Sequence, residues 1–153
     1  MNDSFEKIRA IIAATRPDLL QFHGEEPEDF CASFGLPYLK AIGMGSGREM
    51  LGLVREYPSA AGFIYDGHAA GEHGGSGKSF DWSLLSRNDQ KTWLAGGLTP
   101  ENVSEAVQQA CPWAVDVSSG VEDAPGIKNH ELMNQFISAA KAAHAQTKEQ
   151  NRV

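Results

Sequence analysis

Gly62-Phe63-Ile64-Tyr65-Asp66 is apolar up to its last position, and the residues from Gly67 to Gly77 then supply five glycines before Phe80-Asp81-Trp82 opens something helical. Such a run reads as a buried strand that delivers one carboxylate at its carboxyl end, next to a loop whose backbone can approach a ligand closely. Within that loop, Gly74-Gly75-Ser76-Gly77 can turn several N–H groups toward one anion, and Ser76 adds a hydroxyl donor. A phosphate is the natural guest. The plain alternative is a surface loop following an ordinary Asx turn, and the loop by itself does not choose between the two.

The same handover from strand to helix recurs on both sides of this stretch. Strands are expected at Asp18 to Phe22, Pro37 to Ile42, Ala61 to Tyr65, Lys91 to Ala95 and Trp113 to Val117. Between and around them the apolar spacing predicts helices over Ser4 to Thr15, Glu25 to Phe34, Arg48 to Tyr57, Asp81 to Leu85 and from Pro100 to Cys111, where Thr99 serves as N-cap. A last helix follows Asn129, with Leu132, Met133, Phe136 and Ile137 on its apolar face. Strands that are apolar throughout, rather than alternating, expect helices on both faces and therefore a parallel sheet. The polar and glycine-rich residues gather where strands end: His23-Gly24, Gly43 to Gly47, Asp66 to Gly77, Gly96-Gly97 and Ser118 to Gly120. One rim thus collects the chemistry, as the C-terminal face of a (β/α)₈ barrel does; such a barrel needs eight strands and about 200 residues or more. Five strands are predicted here, so the expected fold class is α/β, an incomplete (β/α)₈ barrel.

At 153 residues the chain is one domain by the usual prior. Residues 1–145 are expected to form it and the polar stretch 146–153 to be a disordered tail. The net charge of −7 argues against a nucleic-acid partner. No apolar run approaches the roughly 20 residues of a membrane helix. The N-terminus lacks the pattern of a secretory signal, and Cys31 and Cys111 stand apart from any Cys/His cluster, so a reducing cytoplasm and no metal are expected. Each cysteine reads as a small buried apolar residue.

In barrels of this type a phosphate often sits between the loops after the last two strands. Gly96-Gly97 and Ser119-Gly120 hold those positions, and together with Gly75, Ser76 and Gly77 they offer converging N–H groups that require no lysine.

The chain resembles the phosphoribosylanthranilate isomerases in Leu20-Gln21-Phe22-His23-Gly24, Lys40-Ala41-Ile42, Gly74-Gly75-Ser76-Gly77 with Phe80-Asp81-Trp82, Leu94 to Val103, Val115 to Glu122, and Pro125-Gly126-Ile127-Lys128. These stretches run in the family's order. The resemblance implies strands 4 to 8 of the barrel and an intramolecular oxidoreductase of the aldose–ketose type in L-tryptophan biosynthesis. Its reaction is the Amadori rearrangement of N-(5-phosphoribosyl)anthranilate to 1-(2-carboxyphenylamino)-1-deoxyribulose 5-phosphate, without a cofactor. By the same resemblance Asp66 is the general acid, while His23 and Asp116 line the substrate pocket.

Departures accompany the matches. The family's general base is a cysteine in a Lys-Ile-Cys-Gly segment on its first strand, and an early arginine receives the anthranilate carboxylate; this sequence contains neither segment, and neither Cys31 nor Cys111 stands in that position. Ser76 replaces a more usual Thr, and Gly43 stands where an Arg is common. The chain by itself is therefore expected to be nearly inactive, a C-terminal portion that works with a complementary N-terminal fragment. The alternatives are a non-enzymatic phosphosugar-binding module and a non-functional fragment that aggregates through its open sheet edges.

Overall fold

The computed structural model describes residues 2–44, 47–67, 80–85 and 91–150. The expected phosphate loop with Gly75, Ser76 and Gly77 lies outside the described residues. Five strands form one parallel sheet in sequential order: β1 (Leu20–Phe22), β2 (Tyr38–Gly43), β3 (Gly62–Asp66), β4 (Thr92–Ala95) and β5 (Ala114–Val115). Helices α1 (Phe5–Thr15), α2 (Glu28–Ala32), α3 (Val103–Ala110) and α4 (His130–Gln150) alternate with them, together with 3₁₀ segments at Gly47–Glu56, Trp82–Leu85 and Ser119–Val121. None of the described helices is long and apolar enough to cross a membrane.

Continuous apolarity in the strands follows from burial on both faces. Leu39, Ala41, Ile64 and Ala95 cluster on one face, with Trp93 packed against them. On the other face Ile42, Phe63, Tyr65 and Leu94 pack with Val103, Ala106 and Val107 of α3 and with Phe136 and Ala143 of α4. Phe63, Tyr65 and Leu94 are fully buried, and each contributes about 1.5 to 3 kcal/mol by the usual transfer scale. Near β1 a smaller aromatic cluster of Phe22, Phe34 and Tyr38 receives Ile8 and Ile12 of α1.

The ends of the helices follow local chemistry. Ser4 caps α1 by accepting from the Lys7 N–H at 3.3 Å. Asn129 caps α4 through its Oδ1, which accepts from Glu131 N at 2.8 Å and Leu132 N at 3.0 Å.

Four expectations change. Residues 47–56 wind as a 3₁₀ rather than an α-helix, with Gly52 in the middle of the segment lowering its α-helical preference. α3 begins at Val103 instead of Pro100, because residues 99–102 form a hydrogen-bonded turn in which the Thr99 C=O accepts from Asn102 and Val103. A two-stranded antiparallel hairpin, β6 (Glu122–Ala124) with β7 (Ile127–Lys128), lies between the last expected strand and the last helix, where no strand is predicted. Its turn, Pro125-Gly126 with Gly126 at φ +80°, has the residues a type II turn needs. Finally, α4 continues to Gln150, so the first residues of the expected tail 146–153 are helical.

Candidate active site

All five strands run the same way, so their carboxyl ends share one rim. There a cavity of about 560 Å³ is bounded by His23 after β1, Asp66 at the end of β3, Gly96 and Gly97 after β4, and Asp116, Ser119 and Gly120 after β5. Every expected site residue among the described ones is therefore on one wall system.

Asp66 is held there by its backbone and by its neighbour. Its C=O accepts from Met44 N at 2.8 Å, and β3 pairs it with Gly43 on one side and Ala95 on the other. Its carboxylate lies against Gly96, where an added Cβ would come within 2.3 Å of Oδ1 and 2.3 Å of Gly67 N. Gly96 also has φ +78°, a backbone conformation that side chains resist. Only glycine leaves room for the carboxylate in this position. Asp66 is buried, whereas the His23 side chain is 46% exposed, and His23 Nε2 stands 3.9 Å from Asp66 Oδ2. That separation is too long for a hydrogen bond and short enough for Coulomb attraction when the imidazole is protonated.

The two glycine loops touch each other. A Cβ on Gly120 would sit 1.8 Å from the Leu98 C=O, so the loop after β5 packs directly on the loop after β4. Asn102 fixes the latter: its Nδ2 donates to Gly97 C=O at 2.8 Å and its Oδ1 accepts from Thr99 N at 2.8 Å. Asp116 remains tied to β4 through its N–H, which donates to Leu94 C=O at 2.8 Å.

Ser118 lines the cavity with the rim residues among which it was expected; Gln21 and Glu122 also line it and were not assigned to it. Gln21 was accessible to strand periodicity, because it lies two positions before His23 and so on the same face. Beneath the His23 loop a second feature was missed. Lys40 and Glu26, both buried, pair at 3.1 Å; Lys40 also donates to Gly24 C=O, while Glu26 accepts from Gly24 N at 2.9 Å and from Asn2 N at 2.9 Å. Burial works to raise the Glu26 pKa, but these donors outweigh it and hold the carboxyl below its ordinary value.

Neither cysteine lines the cavity. Cys31 is buried in α2, and desolvation pushes its thiol up to about 11. Cys111, expected to be buried, is exposed at the C-cap of α3, where it has φ 45°.

The fold and the rim together define a parallel α/β protein whose candidate site is a carboxylate sharing one cavity with glycine-bearing loops at the strands' carboxyl ends. Residues 1–139 match the family model for N-(5'phosphoribosyl)anthranilate (PRA) isomerase. A relative from Stenotrophomonas maltophilia (strain R551-3), an N-(5'-phosphoribosyl)anthranilate isomerase, is 52% identical over 146 residues, covering 93% of this chain and 66% of that protein. The crystal structure of phosphoribosyl anthranilate isomerase from Thermotoga maritima superposes with a TM-score of 0.82 at 39% identity, over 93% of this chain and 70% of that one. A further structure, of the isomerase in complex with reduced 1-(o-carboxyphenylamino)-1-deoxyribulose 5-phosphate, has a TM-score of 0.77 at 34% identity and covers 92% of this chain and 68% of the other. This chain belongs to the phosphoribosylanthranilate isomerase family. It spans 66% of the length of the Stenotrophomonas relative.

Proposed function

We propose that this chain carries the general acid and part of the phosphate-binding wall of a phosphoribosylanthranilate isomerase site, acting in tryptophan biosynthesis in the cytoplasm, and that its sheet is an arc of a (β/α)₈ barrel. The observation that carries the reading is that Asp66, at the end of β3, shares one cavity with the glycine loops after β4 and β5. In this role Asp66 donates a proton to the furanose ring oxygen of phosphoribosylanthranilate as the C1–O bond breaks, and the anilino nitrogen lone pair forms the iminium. A base then removes the C2 proton, whose bonding electrons form the enolamine that tautomerises to the ketose. The phosphate rests on N–H groups of Gly96, Gly97, Ser119 and Gly120, joined by Gly75, Ser76 and Gly77 from the loop outside the described residues. His23 and Asp116 line the substrate pocket.

In this reading the base comes from a complementary N-terminal segment, as the family resemblance implies; neither Cys31 nor Cys111 lines the cavity. Turnover of phosphoribosylanthranilate is measured for the chain alone and after adding the N-terminal strands of a relative. The expected result is negligible rate alone, rescue in the complex, and a loss of about 10² to 10⁴ from Asp66→Asn in that complex. A well-folded complex that binds a ribose 5-phosphate analogue without turning over substrate points instead to the second reading, a phosphosugar-binding module. That reading draws on the same placement of the cysteines away from the cavity.

A further inference from the structure

The wall after β5 contains a group that an anion site does not ordinarily tolerate. Glu122 lines the cavity beside Ser119 and Gly120, and an unopposed carboxylate there would repel a phosphate. Its charge is met from behind. Lys128 Nζ lies 2.6 Å from Glu122 Oε1 and also donates to the Ser118 C=O at 2.9 Å and to the Ser118 Oγ at 3.4 Å. The other carboxylate oxygen, Oε2, accepts from Gly126 N at 3.1 Å, in the turn between β6 and β7. The hairpin thus folds back so that Lys128, paired with Glu122 in the strand register, arrives under the loop that leads into Ser119 and Gly120.

We propose that Lys128 is a positioning residue of the anion subsite, which cancels the Glu122 charge in the cavity wall and fixes Ser118 so that the Ser119 and Gly120 N–H groups face the anion. The inference rests on the reading that a phosphate binds these loops. It adds to that reading a lysine that works without touching the ligand.

Inorganic phosphate is titrated into the 153-residue chain while backbone amides are followed by NMR. Wild-type shifts that saturate at Gly96, Gly97, Ser119 and Gly120 establish the subsite before any variant is made; their absence overturns the phosphate reading, and this inference with it. Given those shifts, Lys128→Met weakens phosphate binding about three- to fivefold, the range of a partly exposed charge pair, and Lys128→Arg retains most of the affinity. Adding Glu122→Gln to Lys128→Met recovers much of the loss. Glu122→Gln alone leaves the lysine and its Ser118 bonds in place, and it tightens phosphate binding. Unchanged affinity in Lys128→Met, no recovery in the double variant, or weaker binding in Glu122→Gln each overturns the inference, and the last applies even where Lys128→Met does not fold.

Discussion

Gly96 is where backbone conformation and site chemistry coincide. Its positive φ and the 2.3 Å approach of Asp66 Oδ1 to a notional Cβ mean that a methyl group both strains the chain and displaces the carboxylate. Gly96→Ala is expected to cost about 1 to 3 kcal/mol in urea unfolding and to reduce the amide shifts on adding phosphate. A variant as stable as wild type and equally responsive would mean that Asp66 does not sit against Gly96. At this scale the sequence was informative wherever a residue ends a strand. His23 and Asp66 were legible as strand-end polar groups and Gly96-Gly97 and Ser119-Gly120 as loops, whereas Asp116, inside the expected strand Trp113 to Val117, was legible only through the family resemblance. Glu122, Lys128 and the Lys40–Glu26 pair were not, because their roles depend on side chains that reach across a hairpin or a loop, and no local periodicity encodes that reach.

Among the elements, β2 and the β1–α2 loop are coupled by the buried Lys40–Glu26 pair. Lys40 is 3% and Glu26 7% exposed, so removing one partner leaves the other charge stranded. Lys40→Met is expected to destabilise by about 3 to 5 kcal/mol, and Lys40→Met with Glu26→Gln to recover part of it; chemical denaturation of the two variants measures both. The pH dependence follows from the lowered Glu26 pKa. A carboxyl whose folded value lies below its unfolded one adds stability above the unfolded value, about pH 4.3 for Glu, and loses it as pH falls through the folded value. Denaturation midpoints of the wild type should therefore fall below about pH 4.3 more steeply than those of Glu26→Gln; parallel profiles would contradict the assignment. The elements themselves were largely readable, since five apolar runs gave five strands in chain order. The 3₁₀ winding of Gly47–Glu56 and the β6–β7 hairpin escaped, the first because helical spacing does not distinguish the two windings, the second because its strands are short and exposed.

Taken as a whole, the molecule presents a parallel sheet in which β1 and β5, among the described residues, pair on one side only. Trp113, beside β5, is 60% exposed, and its ring meets that of Trp93 at a tilt of 41°, the centroids 5.4 Å apart. Open edges next to apolar side chains favour association. Light scattering of the isolated chain should show a mass that grows with concentration, and Trp113→Lys, which places a charge at that edge, should lower it. A mass independent of concentration would indicate covered edges. The parallel sheet was predictable from continuous apolar strands, which only burial on both faces makes stable.

The seating of Gly120 on the Leu98 carbonyl has a practical corollary for anyone rebuilding this rim. With no gap between them, the turn following β4 and the turn following β5 behave as one cassette. Grafting either from a homologue on its own should create a clash that transplanting both together avoids, so new specificity at this end has to be moved in pairs.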